Sequence, residues 1–151
     1  MIKNIQTDLI LLDFSKAFDV VLHTKLFSVL HCYGIEGRVV HLIKNLLYSR
    51  TKQTLVDGRG RLSESCNVLS GVPQGSVIGP LLFNVYLNNM LQKLEMLPDF
   101  NFFAFADDIK ILSNKYEQLE KALQVVEEWC NIFKLKLKPS KYEYLSFKMR
   151  T

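Results

Sequence analysis

Asp107 and Asp108 stand side by side between two apolar runs in NFFAFADDIKIL, Asn101–Leu112. Phe102–Ala106 and Ile109–Leu112 are rich in aromatic and β-branched residues, so two strands joined by a tight turn are expected, with both acids at its tip. Successive side chains of a flat strand point to opposite faces, but at a hairpin apex the backbone bends and both carboxylates can approach one point. Carboxylates held that close repel one another unless a proton or a cation intervenes. A bare Asp-Asp is also an ordinary solvated loop, because Asp is a favoured turn residue. A further acid of the same kind changes the balance. Leu9–Leu12 is a continuous apolar run ending at Asp13, which reads as a buried strand delivering a carboxylate at its exit. Hard oxygen ligands from two strand ends, with no partnered Cys or His, suit Mg²⁺ or Mn²⁺ rather than zinc.

Several other elements are needed to position these acids. After Asp13 the chain turns through Ser15–Asp19, and Thr24 can cap a helix over Lys25–Tyr33 that Gly34 closes. A second helix over Arg38–Tyr48 places Val39, Leu42, Ile43, Leu46 and Leu47 on one stripe. Thr51–Val56 alternates polar and apolar residues before Asp57-Gly58, and the return through Arg61–Val68 reads as an edge hairpin. Gly71–Gly79 is a glycine-punctuated loop, where absent side chains let another molecule approach the backbone. Pro80 suits the first turn of a helix running to about Leu94. Asn114-x-x-Glu117 has the pattern of a capping box and opens a helix to Phe133, with Leu119, Leu123, Val126, Trp129, Cys130 and Phe133 on its core stripe. A last strand follows over Tyr142–Phe147. The order of strand, helices, hairpin, helix, hairpin, helix and strand is that of an α+β fold of the split βαβ kind, an antiparallel sheet packed on helices. One domain over residues 1–151 is expected.

Composition narrows the class further. With 48% hydrophobic residues in 151, the chain can bury a core. Its longest apolar stretch, around Val77–Leu87, is interrupted by Gly79, Pro80 and Asn84 and falls short of the roughly 20 residues of a membrane span, so a soluble protein is expected. No secretory leader is visible near the start, where the apolar run is only Leu9–Leu12. Cys32, Cys66 and Cys130 are odd in number and widely spaced, which points to reduced intracellular thiols. His23, His31 and His41 have no Cys or carboxylate at ligand spacing and read as surface or core residues. The net charge of +4 is unevenly placed. Lys134, Lys136, Lys138, Lys141, Lys148 and Arg150 crowd the C-terminal segment, and Arg50, Lys52, Arg59 and Arg61 crowd the middle. Either cluster could face phosphates or form a solvated rim.

DFSKAFD (Asp13–Asp19), GVPQGSVIGPLLFNVYLN (Gly71–Asn88), FADD (Phe105–Asp108) and KLKPSKYEYLSF (Lys136–Phe147), in this order, resemble the reverse transcriptase palm of non-LTR retrotransposons, and among these the jockey-like group. The resemblance spans about Asp8 to Phe147. It implies RNA-directed DNA polymerase activity: two Mg²⁺ or Mn²⁺ ions held by Asp13, Asp107 and Asp108, an RNA template, a DNA primer and deoxynucleoside triphosphates. Asp13 and Asp107 are then the main metal ligands and Asp108 the accessory one. Phe14, Ser15, Lys16, Ala17 and Phe18 would face the incoming nucleotide, backbone amides near Lys16 and Ala17 meeting the triphosphate and Phe18 excluding a ribose 2′-hydroxyl. Pro73, Gln74 and Gly75 would lie beside the nucleotide and template, and Lys141 would act as general acid toward the pyrophosphate. Asp19 is not carried over as a ligand; an acid at a helix N-terminus or a buried hydrogen-bonding role fits it better.

The chain also departs from the family pattern: Lys138 stands where Asn is usual, and Leu22 replaces a customary Pro. Fingers, thumb and endonuclease regions, expected in a full-length element protein, do not resemble anything in these residues, so a palm fragment is the reading. An intracellular and, for retrotransposition, nuclear location follows from the resemblance. A second hypothesis is an inactive or domesticated fragment that binds nucleic acid or a protein partner. A third, another two-metal palm such as a nucleotide cyclase, is disfavoured by GVPQG preceding FADD.

Overall fold

The computed structural model describes residues 5–56, 58 and 60–149. Strand β1 (Ile5–Asp13) leads through a turn to helices α1 (His23–Cys32) and α2 (Gly37–Tyr48). The short strands β2 (Thr51–Lys52) and β3 (Cys66–Asn67) precede helix α3 (Ile78–Glu95). The hairpin β4 (Asn101–Phe105) and β5 (Asp108–Ser113), helix α4 (Tyr116–Phe133), a 3-10 turn at Pro139–Lys141 and strand β6 (Glu143–Met149) complete the order.

The main sheet has the order β4-β5-β1-β6 and every adjacent pair is antiparallel. β1 and β4 therefore run parallel with β5 between them, and β5 and β6 run parallel with β1 between them. These are two interlocked split βαβ units, as the order of elements implied. The alternation of side chains assigns the two faces. Ile10 and Leu12 of β1 lie opposite Ile111 and Ile109 of β5, and all four are buried. Against them pack Leu82, Phe83, Tyr86 and Met90 of α3 and Leu119, Ala122, Val126 and Trp129 of α4. Trp129 stacks on Phe133 at 4.5 Å and meets Tyr86 edge-on at 5.8 Å. Tyr86 donates a 2.8 Å hydrogen bond from its buried hydroxyl to the Phe133 carbonyl. Burial pushes the Tyr86 phenol up to about 12, so it stays a donor.

Several local expectations need correction. Neither proposed cap forms. α1 starts at His23 with Leu22 at its N-cap, so Thr24 lies inside the first turn, where its carbonyl accepts the Ser28 hydroxyl. α4 starts at Tyr116 after Lys115, and the Ser113 hydroxyl, rather than Asn114, accepts the Lys115 amide. The middle hairpin is a separate two-stranded ribbon, not an edge of the main sheet. Among the described residues its ladder is Thr51↔Asn67 and Lys52↔Cys66, with one further bridge at Leu55↔Leu62. Exposed Leu55, Val56 and Leu62 give it no buried face to fix a longer register. Asp57 and Arg59 of that hairpin, and Arg150 of the C-terminal cluster, lie outside the described residues. Gly34 does close α1, with φ +71 and its amide on the His31 carbonyl. His31 meets the Glu36 carboxylate at 2.8 Å, a partner that spacing did not suggest. Cys32 and Cys66 are exposed, Cys130 is buried, and all are free thiols.

Candidate active site

The two acid-bearing strand ends meet. Asp13 and Asp108 are direct cross-strand partners at the end of the β1/β5 ladder. Partners in an antiparallel pair share a face, with Cβ atoms about 4.5–5.5 Å apart, so both carboxylates emerge together on the face turned away from the helices. The hairpin tip is shifted by one residue from the sequence expectation: Ala106 and Asp107 form the turn, and Asp108 already belongs to β5, opposite Phe105. Ala106 has φ +51, a conformation that costs a non-glycine residue about 1–2 kcal/mol. Asp107 is half-buried, and Asp108 is exposed.

A cation is built into this pair. The Lys141 ammonium lies 2.7 Å from Asp13 Oδ2. Its pKa is raised, first by that hydrogen bond and by the charge of Asp13, with smaller contributions from Asp108 and Asp107. Lys141 is therefore the group on which the fields of all three acids act. Its position follows from backbone pairing: Phe14 bridges Leu137, Ser15 N–H donates to Lys136 O at 2.7 Å, and Lys138 N–H donates to Asp13 O at 2.8 Å. Leu135 is buried and anchors the segment, leaving Lys134 and Lys136 exposed next to the strand exit.

On the other side of the hairpin tip, a cavity of 410 Å³ is lined by Lys16, Ala17, Phe18, Gln74, Gly75, Pro80 and Asp107. Five of the residues singled out from the sequence as substrate-binding line it together with one of the acids. Phe14, Ser15 and Pro73 do not. Phe14 is 2% exposed and packs on Trp129, and the Pro73 carbonyl accepts the Ser76 hydroxyl at 2.7 Å. Phe18 is half-buried and stacks on Phe83 at 4.5 Å, so one side of its ring is core and the other borders the cavity. Lys16 has φ +51, a second left-handed non-glycine residue at the site.

The two loops that form the cavity are stitched together. Val72 N–H donates to Phe18 O and Gly71 N–H to Val21 O, both at 2.8 Å, and the Ser70 hydroxyl donates to Asp19 O at 2.9 Å. Gly71 has φ +85, and a Cβ there would lie 2.7 Å from Asp19 O, so only glycine permits this contact. Asp19 is exposed rather than buried, because it stands on the turn before α1; its carboxylate accepts the Gln74 side-chain amide at 2.9 Å and so orients Gln74 at the cavity. Arg50 donates to the Gly71 carbonyl at 2.7 Å, and the buried ring of His23 places Nε2 2.9 Å from the same oxygen. A carbonyl oxygen can only accept, so both groups donate to it and His23 carries a proton on Nε2.

Among the described residues, no three His, Cys, Asp or Glu side chains are gathered closely enough to hold a metal ion by themselves. The donor set nonetheless has the chemistry of a Mg²⁺ or Mn²⁺ site: carboxylates only, two of them facing each other, with an ammonium already neutralising one. Mg²⁺ is commonly held by one or two carboxylates, with waters and substrate phosphates completing the shell, so a closed protein cage is not required.

Residues 3–150 match the family described as reverse transcriptase (RNA-dependent DNA polymerase). The chain belongs to that family. Its relatives are polymerases of non-LTR retrotransposons. It is 30% identical over 137 residues to the retrovirus-related Pol polyprotein of the type-2 retrotransposable element R2DM of Drosophila melanogaster, covering 86% of this chain and 13% of that protein. It is 27% identical over 151 residues to the RNA-directed DNA polymerase of the mobile element jockey of the same organism, covering 93% of the chain and 16% of the relative. The reverse transcriptase chain thus spans well under a quarter of either relative. Among solved structures, telomerase from Candida albicans, in complex with a fragment of telomeric RNA, superposes with a TM-score of 0.75 at 11% identity, over 92% of this chain and 27% of that one. That likeness concerns the fold alone: a mixed helical and antiparallel polymerase palm. No described helix is long and apolar enough to cross a membrane.

Several features of this candidate site were not legible in the sequence. His23 and Arg50 reach the Gly71 carbonyl from 48 and 21 residues away, and no local pattern links them. Asp19 reaches Gln74 over 55 residues. The left-handed Lys16 and Ala106 lack the Gly or Asn that normally signals such a turn.

Proposed function

We propose that this chain is the palm portion of an RNA-directed DNA polymerase that adds deoxynucleotides to a primer 3′-hydroxyl on an RNA template. The observation that carries the reading is the cross-strand pairing of Asp13 with Asp108, next to Asp107 and a nucleotide-sized cavity. Asp13, Asp107 and Asp108 would hold divalent Mg²⁺ or Mn²⁺, which when bound lowers the pKa of an attacking hydroxyl and neutralises a departing pyrophosphate. The chain's own residues supply the rest. Phe18 and Gln74, oriented by Phe83 and Asp19, shape the floor of the cavity and restrict the sugar that fits. The turn at Lys16 and Ala17, which lines the cavity, offers backbone N–H donors to phosphate oxygens. Lys141, kept protonated by the three acids, would be the proton donor to the leaving group. Such chemistry acts chiefly through positioning and charge, and displacement by about 1 Å can cost on the order of 100-fold.

Mn²⁺ titration followed by electron paramagnetic resonance, with primer extension on poly(rA) and oligo(dT) run in parallel, tests this reading. The Asp107→Asn, Asp108→Asn double variant is expected to lose most Mn²⁺ binding and any extension that the unaltered chain shows. Extension by the isolated chain is expected to be weak, because template, primer and triphosphate must all be held in line. Mn²⁺ binding that is indifferent to the double substitution, or extension that survives it, would sink the catalytic assignment.

A further inference from the structure

The sheet ends on β6, whose pairing with β1 uses one edge and leaves the other without a partner among the described residues. Natural edge strands are usually blunted by proline, a bulge, inward charges or lysine. Over Glu143–Met149, β6 has no proline and no left-handed residue, and its lysine, Lys148, stands near its far end. Tyr144, Leu145 and Phe147 remain 55%, 42% and 51% exposed. Beneath this edge, between β6 and the first half of α4, lies a cavity of 480 Å³. Tyr116, Tyr142 and Tyr144 line it over Leu119 and Leu123, with Glu120 at its rim and no basic side chain in its lining.

Two carboxylates, Glu120 and Glu143, line this cavity. The Tyr142 phenol is pushed up by burial and then by the charge of Glu127, and the Tyr144 phenol by burial and then by Asp8. Asp8 is held in its charged form, first by a hydrogen bond from Ser146 and then by one from Gln6, with Lys148 a weaker influence. Three tyrosines with carboxylates beside them are the chemistry that receives an organic cation. Phosphate is disfavoured at the same place by the same charges.

We propose that this edge receives an extended basic segment of a partner polypeptide, added as a strand alongside β6. Register dictates the recognition pattern, because neighbouring strands share faces residue by residue. Side chains beside Tyr144 and Ser146 would point toward the tyrosine cavity, and lysine or arginine there would lie over the rings and next to Glu120. The intervening side chains would continue the outer row of Leu145 and Phe147, and apolar residues suit them. The partner segment therefore alternates basic and apolar residues.

Hydrogen–deuterium exchange on the 151-residue chain, read by mass spectrometry, tests this inference with the peptide acetyl-Lys-Leu-Lys-Leu-Lys-amide in excess and its Glu-for-Lys counterpart as control. The basic peptide is expected to slow exchange across residues 142–148, and the acidic one is expected to leave it unchanged. Glu120→Gln, on the exposed side of α4, should preserve the fold and weaken the basic peptide about two- to fivefold; Tyr144→Ser should weaken it by a similar factor. Equal protection by both peptides, protection confined to the Asp107–Asp108 hairpin, no protection up to the solubility limit, or an unchanged affinity in Glu120→Gln would overturn the proposal. So would stronger protection of residues 142–148 by an oligo(U) probe. None of these readouts depends on polymerase activity, so the proposal can fail independently of the catalytic reading.

Discussion

The two faces of the same four-stranded sheet are built from alternate residues of the same strands, yet they carry opposite chemistry. On the inner face, Ile10, Leu12, Ile109 and Ile111 are sealed beneath α3 and α4, and each full burial of such a side chain contributes about 1.5–3 kcal/mol. On the outer face, Asp13 and Asp108 stand opposite one another, Lys141 pairs with Asp13, and Phe103 and Phe105 are 64% and 82% exposed. The inner face is closely packed, with Trp129 Nε1 and Gln118 Oε1 buried there without a hydrogen-bond partner. The outer face keeps like charges at directly paired positions and two left-handed non-glycine residues, Lys16 and Ala106, at its margins. Strain and repulsion of this sort persist only where a rigid scaffold imposes them, and they concentrate at functional sites. The inner face is what the outer one is held by.

The comparison breaks most sharply at Trp129. It is fully buried, stacked on Phe133 and in contact with Phe14 and Tyr86, so Trp129→Ala should cost about 3–5 kcal/mol. Thermal or urea denaturation reads this directly. A loss below about 1 kcal/mol would mean that the inner face does not carry the fold.

Phe18 lies on the boundary between the regions, with Phe83 on one side and the cavity on the other. Phe18→Ala should cost about 1–2 kcal/mol, part of the value for a fully buried ring. In any polymerase assay that this palm supports, it should also raise ribonucleotide use relative to deoxyribonucleotide use, since a wall has been removed. Destabilisation with unchanged sugar discrimination would assign Phe18 to the core alone.

The smallest effect on stability is expected at the acids themselves. Asp108→Asn removes a like charge directly across from Asp13, so the thermal midpoint should stay level or rise by about a degree or two. Mn²⁺ affinity should fall in the same variant. A marked loss of stability would show that Asp108 is part of the scaffold rather than a site the scaffold supports.

Much of this protein was legible in its sequence because it depends on local pattern. The apolar run ending at Asp13, the aromatic strands around Asp107 and Asp108, and the helical stripes through Trp129 and Phe133 rest on periodicities of two and of about 3.6 that any chain with these residues would express. Their order sufficed for the split βαβ arrangement, because short connections and antiparallel hairpins leave few alternatives. Tertiary structure decided what depends on distance across the chain. It set the register that puts Asp13 opposite Asp108 rather than one residue away, which would have sent one carboxylate into the core. It also moved the turn onto Ala106 and Asp107, brought Lys141 onto Asp13, and joined His23, Arg50 and Asp19 to the loop that carries Gln74. Each of these contacts links residues whose separation in sequence carries no pattern, so only the packed backbone could specify them.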